Sequence, residues 1–273
     1  IMSAREALRM SWNIPAIKTY LKVGIPKALD YVKKMGVTTL VDSDNYAATG
    51  VIGGLAYGLT VEEITNAYAT FANRGSFVDA YLIERIEDSQ GRVIYRHEAK
   101  PVQVYSEQTA YLITDVLRSV VNAGTGTHIR QYVPRKVDIA GKTGTTNNNN
   151  DLWFVGYTPE LSMGVWIGFD EPHPIPDRDK NVPMAVWGKI MKQIIDKHPD
   201  LSPPDKTFAK PAGIVTATVD SKSGLLPSEL SKQAGHLITD LFNQKYLPTK
   251  TDDSHQKARV ILYNGERYLA KEG

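Results

Sequence analysis

Ala140-Gly141-Lys142-Thr143-Gly144-Thr145-Thr146-Asn147, followed shortly by Asp151-Leu152-Trp153-Phe154-Val155-Gly156-Tyr157, is the stretch that decides the architecture of this 273-residue chain. A lysine flanked by glycine and two hydroxyl residues puts a fixed cation beside backbone that a ligand can approach closely. Two structures suit it: a phosphate cradle, or the edge strand of an acyl-transfer cleft. The phosphate loop requires a glycine five residues before the Gly-Lys-Thr. That position is Lys136, so the pattern fails. The acyl-transfer strand instead requires a Ser-x-Asn well upstream and a Ser-x-x-Lys before that.

The Ser-x-Asn is present as Ser11-Trp12-Asn13, and Lys142 follows Ser11 by 131 positions. That interval is long enough for a helical lobe between two walls of a cleft. Taken singly, each motif is weak. Ser-x-Asn arises by chance as a helix junction whose polar residues merely cap, and Lys-Thr-Gly arises as a solvated surface strand. Their order and separation give them weight together.

Composition sets the class. A hydrophobic content of 42% and a charged content of 23% are those of an ordinary globular domain. The length suits one large domain with a small appendage. The formal net charge of +2 gives no electrostatic footprint for nucleic acid. The absence of cysteine excludes disulfides and thiolate metal sites, and is compatible with an exported bacterial protein. No apolar run approaches the ~18 residues of a membrane span, and no signal peptide is visible. The chain begins at Ile1 and runs almost directly into a helical pattern, so it is expected to be a fragment of a longer protein.

Local signals place the motifs. Ser3-Ala4-Arg5-Glu6 and Thr60-Val61-Glu62-Glu63 both fit capping boxes. The first opens a short helix to about Met10, and Pro15 opens a second that Gly24 ends. Ser11-Trp12-Asn13 therefore lies in a tight junction between helices. A third helix is expected from Pro26 to Met35, a loop from Thr38 to Gly58, a helix from Thr60 to Asn73, and a hairpin about Asp88-Ser89-Gln90-Gly91. Ser106 caps a long amphipathic helix closed by Gly124-Thr125-Gly126. Strands are expected at Val137–Thr145, Leu152–Tyr157 and Leu161–Phe169, with a helix at Met184–Lys197. The four prolines between Pro199 and Pro211 mark a boundary. Beyond it, Gly213–Asp220 and Ala258–Tyr263 are expected as strands around a polar middle.

At this point the chain resembles the transpeptidase domain of class A, high-molecular-mass penicillin-binding proteins, the bifunctional peptidoglycan synthases. The resemblance rests on Arg5-Glu6-Ala7-Leu8 leading into Ser11-Trp12-Asn13-Ile14-Pro15-Ala16, and on Gly53-Gly54-Leu55 with Gly58 and Thr60. It continues through Ala67-Tyr68-Ala69-Thr70-Phe71-Ala72-Asn73-Arg74-Gly75, Gly124-Thr125-Gly126, and the Lys142 and Trp153 stretches. These occur in family order over residues 1 to about 200. Val219-Asp220-Ser221-Lys222-Ser223-Gly224 resembles the start of the C-terminal extension that such proteins often carry.

The resemblance implies an α+β fold: an antiparallel sheet flanked by helices, of the β-lactamase/transpeptidase type, with a small β-rich C-terminal extension. It implies an incomplete transpeptidase domain at residues 1–200, a linker at 201–212 and an extension at 213–273. Ser11 would relay a proton to the leaving amine, Asn13 would hold the substrate amide and the catalytic lysine, and Lys142 would supply positive potential. Thr143 and Thr145 would bind the substrate carboxylate, and the Thr145 N–H would form half of an oxyanion hole. Gly144 would let the substrate lie flat on the strand, and Asn147 would line the cleft.

The implied partners are peptidoglycan stem peptides ending in D-Ala-D-Ala and β-lactam antibiotics, with no cofactor and no nucleic acid. The implied site of action is the extracytoplasmic face of the bacterial membrane. The family's Ser-x-x-Lys nucleophile motif should stand several dozen residues before Ser11, where only ten residues precede it. The sole Ser-x-x-Lys is Ser254-His255-Gln256-Lys257, out of order and read as a chance match. Residues 1–273 alone are therefore expected to be inactive, with the N-terminal part supplied upstream or as another chain.

Two readings from other classes stand beside this one. They are a D,D-carboxypeptidase or β-lactamase relative, and a non-catalytic penicillin-fold binding module. The six histidines show no metal-ligand spacing, so no metal site is expected. No Gly-x-Ser-x-Gly is present to support a histidine-based hydrolase. Trp153, Phe154 and Trp166 are expected as strand core.

Overall fold

The computed structural model describes residues 2–270, which divide into two compact units, one spanning residues 4–212 and the other beginning at Gly213. In the first unit the helices are α1 (Ala4–Arg9), α2 (Asn13–Val23), α3 (Ile25–Lys34), α4 (Val61–Ala72), α5 (Glu107–Ala123) and α6 (Val182–Lys197). Its strands are β1 (Ser76–Phe77), β2 (Arg85–Glu87), β3 (Val93–Arg96), β4 (Val102–Gln103), β5 (Ala140–Thr145), β6 (Leu152–Tyr157) and β7 (Ser162–Ile167).

The antiparallel sheet runs in the order β5-β6-β7, which makes β6 central and β5 an edge. β6 is buried on both faces, which explains its almost continuous apolar run. Phe154 is fully buried and meets the Trp187 ring of α6 edge to face at 5.5 Å. Tyr157 is also fully buried; its hydroxyl shares a 2.9 Å hydrogen bond with Thr114 of α5, and its ring meets Tyr68 of α4. Burial pushes the Tyr157 phenol far above its ordinary range. Glycines let the layers close: a Cβ on Gly141 would stand 2.6 Å from Phe154 Cζ and 2.9 Å from the Val155 carbonyl.

The caps expected at Thr60 and Ser106 form. Thr60 Oγ1 accepts from the Glu63 N–H at 3.1 Å while Glu63 accepts from the Thr60 N–H at 3.1 Å. Burial opposes the Glu63 charge, but donors from Thr38, Thr39 and Thr60 outweigh it and hold the carboxyl at about 2. Ser106 Oγ accepts from the Thr109 N–H at 3.2 Å and starts α5.

Several boundaries differ from expectation. The first sheet strand begins at Ala140, because Val137 and Ile139 are committed to the apolar cluster beneath it. The hairpin about Asp88–Gly91 is β2 with β3, while β1 pairs with β4. Residues 201–212 contain no helix or strand. They belong to the first unit and are held there by the Phe208 N–H on Asp138 Oδ2 (3.1 Å), by Ser202 on Thr158, and by the Phe208 ring against Tyr157.

The second unit holds β8 (Ile214–Asp220), α7 (Glu229–Gln233), β9 (Leu237–Asn243), β10 (Val260–Tyr263) and β11 (Glu266–Leu269). β8 pairs with β9 over seven residues, and β10 with β11. β9 lies within the stretch expected to be a polar middle; its interspersed Thr239, Asp240 and Asn243 masked it. β10 closes instead on β11 through Asn264-Gly265, both at positive φ, the conformation of a tight hairpin turn.

Candidate active site

The site is assembled at the end of α1. The Trp12 N–H donates to the Ala7 carbonyl at 2.9 Å and the Ser11 N–H to the Leu8 carbonyl at 3.1 Å, a Schellman closure of the helix. Its left-handed position, ordinarily glycine, is taken by Ser11 at φ 58°. A serine held there is strained by about 1–2 kcal/mol, so the surrounding contacts must over-determine it. The chain re-enters a helix at Asn13, which leaves Ser11 exposed on a rigid corner.

α1 is locked to α5. The Arg5 guanidinium donates to Asp115 Oδ2 at 2.5 Å and to Ser119 Oγ at 2.7 Å. The Thr125 N–H reaches the Arg9 carbonyl at 3.3 Å, and the Arg9 guanidinium caps the Ala123 carbonyl. Gly124 has no room for a side chain here, since a Cβ would collide with the Arg9 carbonyl oxygen. The loop after α5 is thereby wedged between α1 and β5, and it presents Thr125 Oγ1 to Thr143 Oγ1 at 2.7 Å.

Lys142 completes the site from β5. Its ammonium donates to Ser11 Oγ at 2.7 Å and to the Thr143 carbonyl at 2.8 Å. Burial lowers its pKa from the ordinary 10.5 to about 8, so the cation persists at neutral pH but is held less tightly than a solvated lysine. A serine hydroxyl has one proton and two lone pairs. Because Ser11 Oγ accepts from Lys142, its own proton is left to be donated elsewhere.

The structure thus joins Ser11 to Lys142 directly, and Thr143 to the same corner through Thr125. Asn13 stands exposed two residues beyond Ser11, and no hydrogen bond ties it to Lys142. Gly144 and Thr145 continue the edge strand opposite Trp153 and Leu152, with Thr145 exposed. Asn147 is exposed at the start of a turn that Thr146 and Asp151 close; Asp151 in turn accepts from Trp166 Nε1 at 2.9 Å.

Thr125, Arg5 and Asp115 are residues to which the motifs alone assigned no part. The signal for Thr125 was Gly124-Thr125-Gly126, which reads as a helix stop and says nothing about its hydroxyl. The Ser254–Lys257 match does not open a helix: Ser254 Oγ donates to Asp252 Oδ1 at 2.6 Å in a segment with neither helix nor strand.

Comparison with known proteins identifies the family. Residues 1–195 match the family described as penicillin binding protein transpeptidase domain, and residues 210–257 match the penicillin-binding protein 1A C-terminal domain. Penicillin-binding protein 1A of Clostridium novyi (strain NT) is 34% identical over 268 residues, covering 97% of this chain and 30% of that protein. Penicillin-binding protein 4 of Bacillus subtilis (strain 168) is 40% identical over 182 residues, covering 66% of this chain and 28% of its own length. The chain thus spans less than a third of the length of these relatives. The crystal structure of penicillin-binding protein 1A from Haemophilus influenzae superposes with a TM-score of 0.75 at 24% identity, covering 92% of this chain and 41% of that one.

Proposed function

This chain belongs to the penicillin-binding protein transpeptidase family, and from that premise we propose that it forms two walls of a D,D-transpeptidase cleft in a peptidoglycan synthase. The 2.7 Å hydrogen bond from Lys142 to Ser11 carries the reading, because it unites the Lys-Thr-Gly strand with the Ser-x-Asn corner. The nucleophile is a serine of a Ser-x-x-Lys motif lying outside residues 1–273. It attacks the carbonyl between the two D-alanines of a stem peptide and forms an acyl-enzyme. D-Alanine leaves, and an amine of a neighbouring stem then takes the acyl group.

In this reading β5 serves as the docking edge. The stem peptide adds to it as a strand beside Gly144, and its terminal carboxylate meets the hydroxyls of Thr143 and Thr145. The Thr145 N–H donates to the developing oxyanion. Lys142 keeps the cleft positive and orients Ser11, which passes its hydroxyl proton to the departing amine as it takes up the proton released by the attacking serine. Asn13 and Asn147 contact the substrate from the exposed positions they occupy. β-Lactams acylate the same serine. No helix among the described residues is long and apolar enough to cross a membrane. The anchor, and a glycosyltransferase domain, are assigned to the parent protein upstream, acting outside the cytoplasm. Residues 1–200 serve as the transpeptidase part, 201–212 as the connection, and 213–273 as an extension.

A fluorescent penicillin tests this. The intact parent should be labelled covalently and residues 1–273 alone should not. An unlabelled parent would overturn the function, and a labelled 1–273 would overturn the placement of the nucleophile.

A further inference from the structure

The second unit contains a cluster that the acyl-transfer account does not use. Asp220 ends β8, and Asp252 and His255 come from the return segment after β9. Both carboxylates are buried, Asp220 completely and Asp252 to 5% exposure. Backbone pairing fixes them: the Asp220 N–H donates to the Leu225 carbonyl and the Asp252 N–H to the Leu226 carbonyl, each at 2.8 Å. One oxygen of each is occupied. Asp220 Oδ1 accepts from the Lys222 and Ser223 N–H groups at 2.8 Å, and Asp252 Oδ1 from Ser254 Oγ at 2.6 Å.

The other oxygens turn inward. Asp220 Oδ2 is buried with no hydrogen-bond partner and faces His255 Nδ1 at 3.7 Å. Asp252 Oδ2 lies 2.7 Å from the same nitrogen and accepts from Ser228 Oγ at 3.3 Å. One ligand atom from each of the three residues lies within 4.8 Å of the other two. Two buried carboxylates facing one imidazole nitrogen concentrate negative charge that a bound cation offsets, and the Asp220 oxygen left without a hydrogen bond is costly without one.

We propose that Asp220 Oδ2, Asp252 Oδ2 and His255 Nδ1 bind one divalent cation of the zinc type, with water as the fourth ligand. Ligands about 2.0–2.1 Å from a tetrahedral zinc stand roughly 3.3 Å apart, which the 2.7 and 3.7 Å separations bracket. An imidazole among the ligands selects zinc over magnesium or calcium, which take oxygen donors. His255 Nε2 stands 2.6 Å from His236 Nδ1, so with Nδ1 on the metal the Nε2 proton is donated to His236. That fixes the tautomer in the usual outer-shell manner. The cation would clamp the end of β8 to the return segment without any role in acyl transfer.

Equilibrium dialysis of the chelator-stripped full chain against zinc tests this. One zinc per chain is expected, undisplaced by equal calcium or magnesium. Asp220→Asn and His255→Gln should each weaken binding at least tenfold, and His236→Ala about tenfold through loss of the outer hydrogen bond. Asp253→Asn, an exposed neighbour outside the cluster, should bind as the wild type does. If Asp220→Asn fails to fold, His255→Gln decides, since it leaves both buried carboxylates in place. No stoichiometric zinc on the wild type, or binding unchanged in His255→Gln, overturns the site.

Discussion

The Lys142 ammonium donates to the Ser11 hydroxyl at 2.7 Å across 131 residues of chain. Each partner sits on an element fixed for other reasons. Lys142 is on an edge strand whose neighbour is buried on both faces, and Ser11 is on a helix end locked by Arg5 and Arg9. The contact therefore reports the packing of α1, α5 and β5 as a unit. A disturbance of any of the three should be felt at the site.

The half-buried lysine sets a pH dependence of known sign. Its pKa is about 8 in the folded protein against 10.5 when solvated. Between those values the unfolded chain binds a proton that the native chain does not, so stability should rise with pH across that window. Below about pH 8 both states are protonated and the burial cost is fully present. Lys142→Met should lose this rise. Denaturation of the intact protein at several pH values from 7.5 to 10 would show it as a wild-type-minus-variant slope. Subtraction cancels tyrosines such as Tyr68, raised to about 12 by burial, which belong to both proteins.

Ser11 offers a test of strain. Ser11→Ala and Ser11→Gly both delete the hydroxyl, but only glycine adopts φ 58° without penalty. Relief of about 1–2 kcal/mol should exceed the roughly 0.4–1 kcal/mol of extra chain entropy glycine loses. The glycine variant should be more stable than the alanine variant by about 0.5–1 kcal/mol in urea denaturation. Alanine matching or exceeding glycine would contradict the left-handed corner.

Gly124→Ala probes the wedge between α1 and β5. Its added methyl must displace the Arg9 backbone, not a flexible side-chain tip. The expected loss is about 1–3 kcal/mol by chemical denaturation, together with slower penicillin acylation in the intact parent. Unchanged stability would show that α1 is not held as described.

Much of this was legible in the residues, and the failures have physical causes. Caps at Thr60 and Ser106 are local chemistry, so the sequence places them well. The uninterrupted apolar run of β6 marks a strand covered on both faces. β9 reads as a polar stretch because its alternation carries polar residues, and the partner of β10 is set by the Asn264-Gly265 turn. The contact of Ser11 with Lys142 is long-range and became legible only through family resemblance. Neither Thr125 nor the Arg5–Asp115 pair carries any local signature of its position. The Asp220, Asp252 and His255 cluster carries no spacing signature, because its side chains meet through strand pairing and not on one motif.

The most direct test of the central claim is the second-order rate of fluorescent-penicillin acylation of the intact parent protein, measured for the wild type and for Lys142→Ala. Loss of a positioned cation in a desolvated cleft should cost about 100-fold or more. Global stability should be held or raised, because the buried charge is gone. A Lys142→Ala protein acylated at the wild-type rate would contradict the assignment of this strand as a wall of the transpeptidase cleft.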